Sequence, residues 1–132
     1  MQAGAYYEGL PIYKRAMDLA ATMDGAVKKF SRHHKYGIGL ELRRATIEIV
    51  QLVAKANERR YRAQAQDELC RAAENCKVLI NLAKEIQAFP SFAAFAAVAT
   101  QVVDLARQAE AWRRYSEGRS GPDRPDAPKG GS

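Results

Sequence analysis

The chain has 132 residues, 47% of them hydrophobic, with a formal net charge of +6 and a pI near 9.5. That is one small domain with enough apolar content for a core, and the positive charge favours a polyanionic partner. Charges interrupt every apolar run before the roughly 18–20 residues that span a bilayer, and residues 1–10 lack the basic-then-apolar order of a secretory signal.

Cys70 and Cys76 cannot make a disulfide framework, and no Cys/His spacing matches a zinc site. Phosphate-binding glycine loops, Gly-x-Ser-x-Gly and His-Glu-x-x-His are all missing from the sequence. The expectation is a reduced, cytoplasmic, non-enzymatic protein without cofactor, metal or membrane.

Pro11 opens the first predicted helix, because its missing N–H costs nothing in a first turn. Ile12, Ala16, Leu19, Met23, Val27 and Phe30 recur at spacings of three and four and form one apolar stripe. Residues 31–37 read as a basic connector. His33 and His34 are adjacent in this connector, which argues against a metal role.

A second helix is predicted from Ile38 to Arg60. Its inner stripe is Ile38, Leu42, Ala45, Ile49, Leu52 and Ala56. Leu40, Ile47, Val50 and Val53 broaden it, which predicts cover on two sides. A third helix is predicted from Ala63 to Ala88 on Leu69, Ala73, Cys76, Ile80, Ala83 and Ile86, with Pro90 as its stop. Residues 59–66 hold no Gly or Pro, so a kinked continuous helix through them stays open.

Ser91 is the expected N-cap of a fourth helix on Phe92, Phe95, Val98, Ala99, Val102, Leu105, Ala109 and Trp112, fading near Ser116. Trp112 reads as its last core plug. Short connectors make sequence neighbours antiparallel, so an all-α, up-down-up-down four-helix bundle over residues 10–116 is predicted. Residues 1–9 form a short extension. Residues 117–132, with four glycines, three prolines and one alanine, are expected to be a disordered tail, and deletion of residues 118–132 is expected to leave folding unchanged.

The charge is concentrated. Residues 28–71 hold eleven Lys/Arg against five acids, whereas the rest of the chain balances ten against ten. On a continuous helix Arg44, Lys55, Arg59 and Arg62 fall within roughly 60° of one another. Arg59-Arg60-x-Arg62 is unmixed in sign, unlike most solvated faces. Arg44, Lys55, Arg59, Arg60 and Arg62 are therefore the leading candidates for a phosphate-binding surface. Arg43, Arg71, Lys77 and Lys84 are weaker ones. The stripe shows no aromatic stacking group, which predicts largely sequence-independent binding of RNA or DNA.

Several segments together carry a family resemblance. They are Leu10-Pro11-Ile12-Tyr13-Lys14, Tyr36-Gly37-Ile38-Gly39-Leu40-Glu41-Leu42-Arg43, Ala54-Lys55-Ala56-Asn57, Leu79-Ile80-Asn81-Leu82-Ala83-Lys84 and Ala111-Trp112. In this order they resemble the Avd family, the accessory variability proteins of diversity-generating retroelements. The likeness covers residues 10–115 and departs at Ala111, where that family commonly has Gly. It implies a barrel-shaped homopentamer of four-helix bundles without catalytic activity. Such a protein binds the retroelement's reverse transcriptase and nucleic acid in making mutagenic cDNA.

The bundle proteins encoded in intervening sequences of ribosomal-RNA genes are a related alternative. They usually carry a Gly-containing stretch where this chain has Ala54-Lys55-Ala56-Asn57-Glu58. A structural module docking an acidic partner is the corresponding second reading of the basic face.

Overall fold

The computed structural model describes residues 10–119, and all regular structure among them is helical. The predicted extension over 1–9 and nearly all of the predicted tail lie outside the described residues.

Helix α1 spans Pro11–Lys28 with proline in its first turn, as its fixed φ favours. Ile12, Ala16, Leu19, Met23 and Val27 are all buried, and Phe30 follows them into the core just beyond the helix end. The predicted connector contains a turn of its own, Arg32–Lys35. Ser31 caps it, its Oγ accepting from the His34 N–H at 3.4 Å.

Helix α2 spans Ile38–Ala56. Gly39, in its first turn, permits the close crossing of α1. A Cβ there would stand 2.8 Å from Val27 Cγ1 and 3.0 Å from the His34 carbonyl oxygen. α2 stops at Ala56 rather than Arg60, because Glu58 adopts an extended backbone (φ −81°, ψ 124°) and Arg59–Tyr61 form a separate 3-10 turn. The second and third helices are thus two elements, not one kinked helix.

Helix α3 spans Arg62–Glu85 and ends before Pro90 is reached. Gln87 takes a left-handed conformation (φ 61°), the Ala88 N–H donates to the Ala83 carbonyl at 2.8 Å and the Gln87 N–H to that of Lys84 at 3.0 Å. This is the glycine-type helix stop, built here on a glutamine. Helix α4 spans Phe92–Arg119, extending past Ser116, and Ser91 caps it by accepting from the Ala94 N–H at 3.1 Å.

Each long helix packs against its neighbours in sequence, and α1 also packs against α4. The four enclose Leu19, Met23, Leu42, Ile49, Leu69, Ile80 and Leu105, all essentially without solvent contact. Gln66 bonds Ser116, and Asp67 meets Arg113. These pairs tie the start of α3 to the far end of α4. Phe30, Phe89 and Phe95 meet edge to face at 5.2 and 5.8 Å, joining the ends of α1, α3 and α4. Trp112 packs half-buried against the core, as a plug should.

Four expected apolar positions are not covered. Ile86 follows the end of α3 and is 41% exposed, and Phe92 starts α4 and is 71% exposed. On α2, Leu40 and Ile47 remain exposed, so within one chain that helix is not covered on both sides.

Among the described residues no helix is long and apolar enough to cross a membrane, and no cluster of His, Cys, Asp or Glu has metal-holding geometry.

Candidate nucleic-acid interface

The helix break between α2 and α3 reorganises the basic candidates. Lys55 stands exposed in the last turn of α2. After two residues the chain turns through Arg59, Arg60 and Tyr61, all exposed, and enters α3 at Arg62. The projection that aligned Arg59 and Arg62 with Arg44 assumed continuous helix, and it ends at Ala56. Arg44 and Lys55 do share a line on α2, separated by about 16 Å at 1.5 Å per residue.

Arg62 is the anchor of the turn. Its Nε donates to the Ala56 carbonyl at 2.9 Å and its Nη2 to the Asn57 carbonyl at 2.8 Å. Both acceptors belong to the end of α2, where carbonyls lack partners within the helix and the dipole is negative. The guanidinium is half-buried and engaged with backbone, which makes it the support of the basic turn.

Tyr61 organises the other cations. Lys55 Nζ lies over its ring at 5.5 Å from the centroid, and Arg60 Cζ at 4.8 Å. Among the described residues no carboxylate lies within ion-pair distance of Lys55 or Arg60. Tyr61 as a whole is 37% exposed. The stripe projected on a continuous helix carries no aromatic group. Tyr61, inside Arg59-Arg60-Tyr61-Arg62, supplies one.

The remaining candidates lie elsewhere. Arg43 crosses to α1, pairing with Asp24 at 3.1 Å, and its Nε is buried without a partner. Arg44 pairs with Glu41 at 3.6 Å and stays largely exposed. Lys77 pairs with Glu74 at 3.0 Å. Lys84 lies over the Phe95 ring at 5.1 Å. Arg71 borders an open cavity between α3 and α4 with Asp67, Cys70, Glu74, Glu110 and Arg113.

In that cavity Arg113 bridges Asp67 at 3.4 Å and Glu110 at 2.7 Å. The hydrogen bond from Arg113 holds the Glu110 carboxyl below its usual range, and the same bond raises Arg113. Burial, then the Glu110 charge, push the Cys70 thiol up to about 11. Burial alone takes Cys76 to about 12. These thiols are poor nucleophiles at neutral pH, and the paired charges tie α3 to α4.

A second basic group stands between α1 and α2, where Lys29 and Arg32 are exposed and Lys35 is half-buried. These charges belong to the basic excess of residues 28–71 but not to the predicted phosphate-binding set.

Comparison of the chain with known protein families and with curated proteins gives no match.

Proposed function

We propose that this chain is a non-catalytic accessory subunit of a retroelement reverse transcriptase. In this reading it binds the polymerase and RNA or DNA through the basic α2–α3 turn, and supports mutagenic cDNA synthesis in the cytoplasm. The observation that carries the reading is the pair of exposed cations, Lys55 and Arg60, held on one ring with no carboxylate partner among the described residues. Cations already paired with acids must surrender that partner to take a phosphate, whereas these need not. The sequence resemblance to the Avd family supplies the polymerase and the biological setting.

The same reading makes the protein an up-down-up-down bundle assembled into a homopentamer. Exposed Leu40 and Ile47 on α2, with Val78 and Leu82 on α3, support self-association. Light scattering is expected to give about 73 kDa, five times the 14.6 kDa chain. A monomer mass at micromolar concentration rejects the assembly.

Binding is tested by titrating RNA and DNA at several salt concentrations. Counterion release gives a log–log slope of about −0.7 to −0.9 per neutralised phosphate. Replacing Lys55, Arg59 and Arg60 by Gln is expected to flatten the slope by about 2–3. The same replacement at Lys29, Arg32 and Lys35 is the charge-matched control and is expected to do less. If the native chain binds neither nucleic acid in a salt-dependent way, the basic turn belongs to the alternative reading, a structural module docking an acidic protein.

A further inference from the structure

We propose that Tyr61, flanked by Lys55 and Arg60, is a stacking contact for an unpaired base, so that the basic turn selects single-stranded over duplex nucleic acid. The proposal rests on the nucleic-acid reading above and adds to it the class of ligand.

The geometry supplies the parts that a single strand requires. The backbone of such a strand needs cations, and its bases need an accessible π-face, because every base can stack whatever its sequence. Lys55 and Arg60 provide two positive centres, within roughly 10 Å of each other by their distances from one ring centroid. The ring provides the π-face, on a residue that is 37% exposed. The guanidinium plane of Arg60 extends the same platform, since bases also stack on arginine.

The platform is also held in place. Tyr61 ends the 3-10 turn and directly precedes Arg62, whose two bonds to the end of α2 fix the turn. A ligand therefore pays little ordering entropy at this position. In a duplex the bases are already stacked and paired, so the ring has nothing to receive. Only the charge contribution survives there, and it is common to both ligands.

The test uses the full chain with a fluorescein-labelled oligothymidylate and a mixed-sequence duplex of the same length, read by anisotropy. Tyr61→Leu removes the π-face, whereas Tyr61→Phe keeps it. The expected result is a loss of about 5- to 150-fold in single-strand affinity for Tyr61→Leu, the equivalent of ~1–3 kcal/mol per stacked base. Its duplex affinity and salt slope are expected to stay within about twofold and 0.5 of the native values. Tyr61→Phe is expected to bind both ligands as the native chain does.

Three results would overturn the proposal. Tyr61→Leu could match the native chain on the single strand. It could weaken both ligands equally and flatten the slope, in which case the ring only positions Lys55 and Arg60. Or Tyr61→Phe could lose as much as Tyr61→Leu. If the native chain binds neither oligonucleotide, the nucleic-acid reading itself fails, an outcome distinct from these three.

Discussion

Arg62→Ala separates support of the basic turn from contact with a ligand. The substitution removes two charge-assisted hydrogen bonds, at 2.9 and 2.8 Å, to carbonyls at the end of α2. Bonds of this type contribute about 1.5–3 kcal/mol each when isolated. The exposed side of the turn lets water replace part of that, and a cation at a helix C-terminus adds about 0.3–1 kcal/mol. A net loss of about 2–3 kcal/mol follows, or a fall in Tm of roughly 8–15 °C for a domain of this size. Arg62→Lys keeps the charge but loses the planar fork, so it is expected to recover no more than about half. Arg60→Ala removes a contact with an exposed ring and is expected to cost below about 0.5 kcal/mol. Urea unfolding followed by far-UV circular dichroism measures all three. Equal stability losses for Arg62→Ala and Arg60→Ala would show that the Arg62 fork does not support the turn.

Gly39→Ala puts a methyl 2.8 Å from Val27 Cγ1 and 3.0 Å from a backbone oxygen. Overpacking of about 1–3 kcal/mol outweighs the helix-propensity gain of about 1 kcal/mol, and urea unfolding is expected to show the loss. Adding Val27→Ala is expected to give a favourable coupling above about 0.5 kcal/mol; additivity would refute the clash. Gln87→Gly relieves the left-handed strain after α3 and is expected to stabilise by about 1 kcal/mol, visible as a higher Tm. Cys76 holds its proton more tightly folded, at about 12 against an ordinary 9.0, so its stabilisation is complete below pH 9 and falls as pH rises toward 12. Cys76→Ala is therefore expected to lose less stability than the native chain across that window, measured by urea midpoints at each pH.

The helical faces were legible because burial imposes a period that any sequence must obey. Every apolar residue assigned to the stripe of α1 is buried, from Ile12 to Phe30, and the Ser91 cap stands where a short polar side chain precedes an apolar run. The helix ends were not legible where their cause is unusual. Glycine and proline mark most stops, yet α2 ends on carbonyls bound by an arginine five and six residues ahead, and α3 ends on a left-handed glutamine. The error at the end of α2 carried over into the site. A helical projection run past Ala56 placed Arg59 and Arg62 on a stripe that does not exist, and it hid the ring between them.

Formal charge is likewise a weak guide to where a phosphate binds, because most cations here have prior engagements of different strength. Lys14, Lys28, Arg44, Lys77 and Arg107 pair with acids one turn away, exposed or half-buried pairs that contribute little and exchange readily. Arg43 and Arg113 cross between helices, and pulling either away would loosen packing as well as break a pair. Arg62 serves backbone carbonyls and cannot leave without unfastening the turn. A cation resting on an aromatic face differs from all of these. The ring holds it in position without neutralising it, so its full charge remains for a ligand, and the attraction at such an exposed site is only about 0.5–1 kcal/mol. Lys55 and Arg60 are in that state together on one ring. At the α2–α3 turn, Lys55 and Arg60 are therefore two cations fixed in place with no carboxylate partner among the described residues.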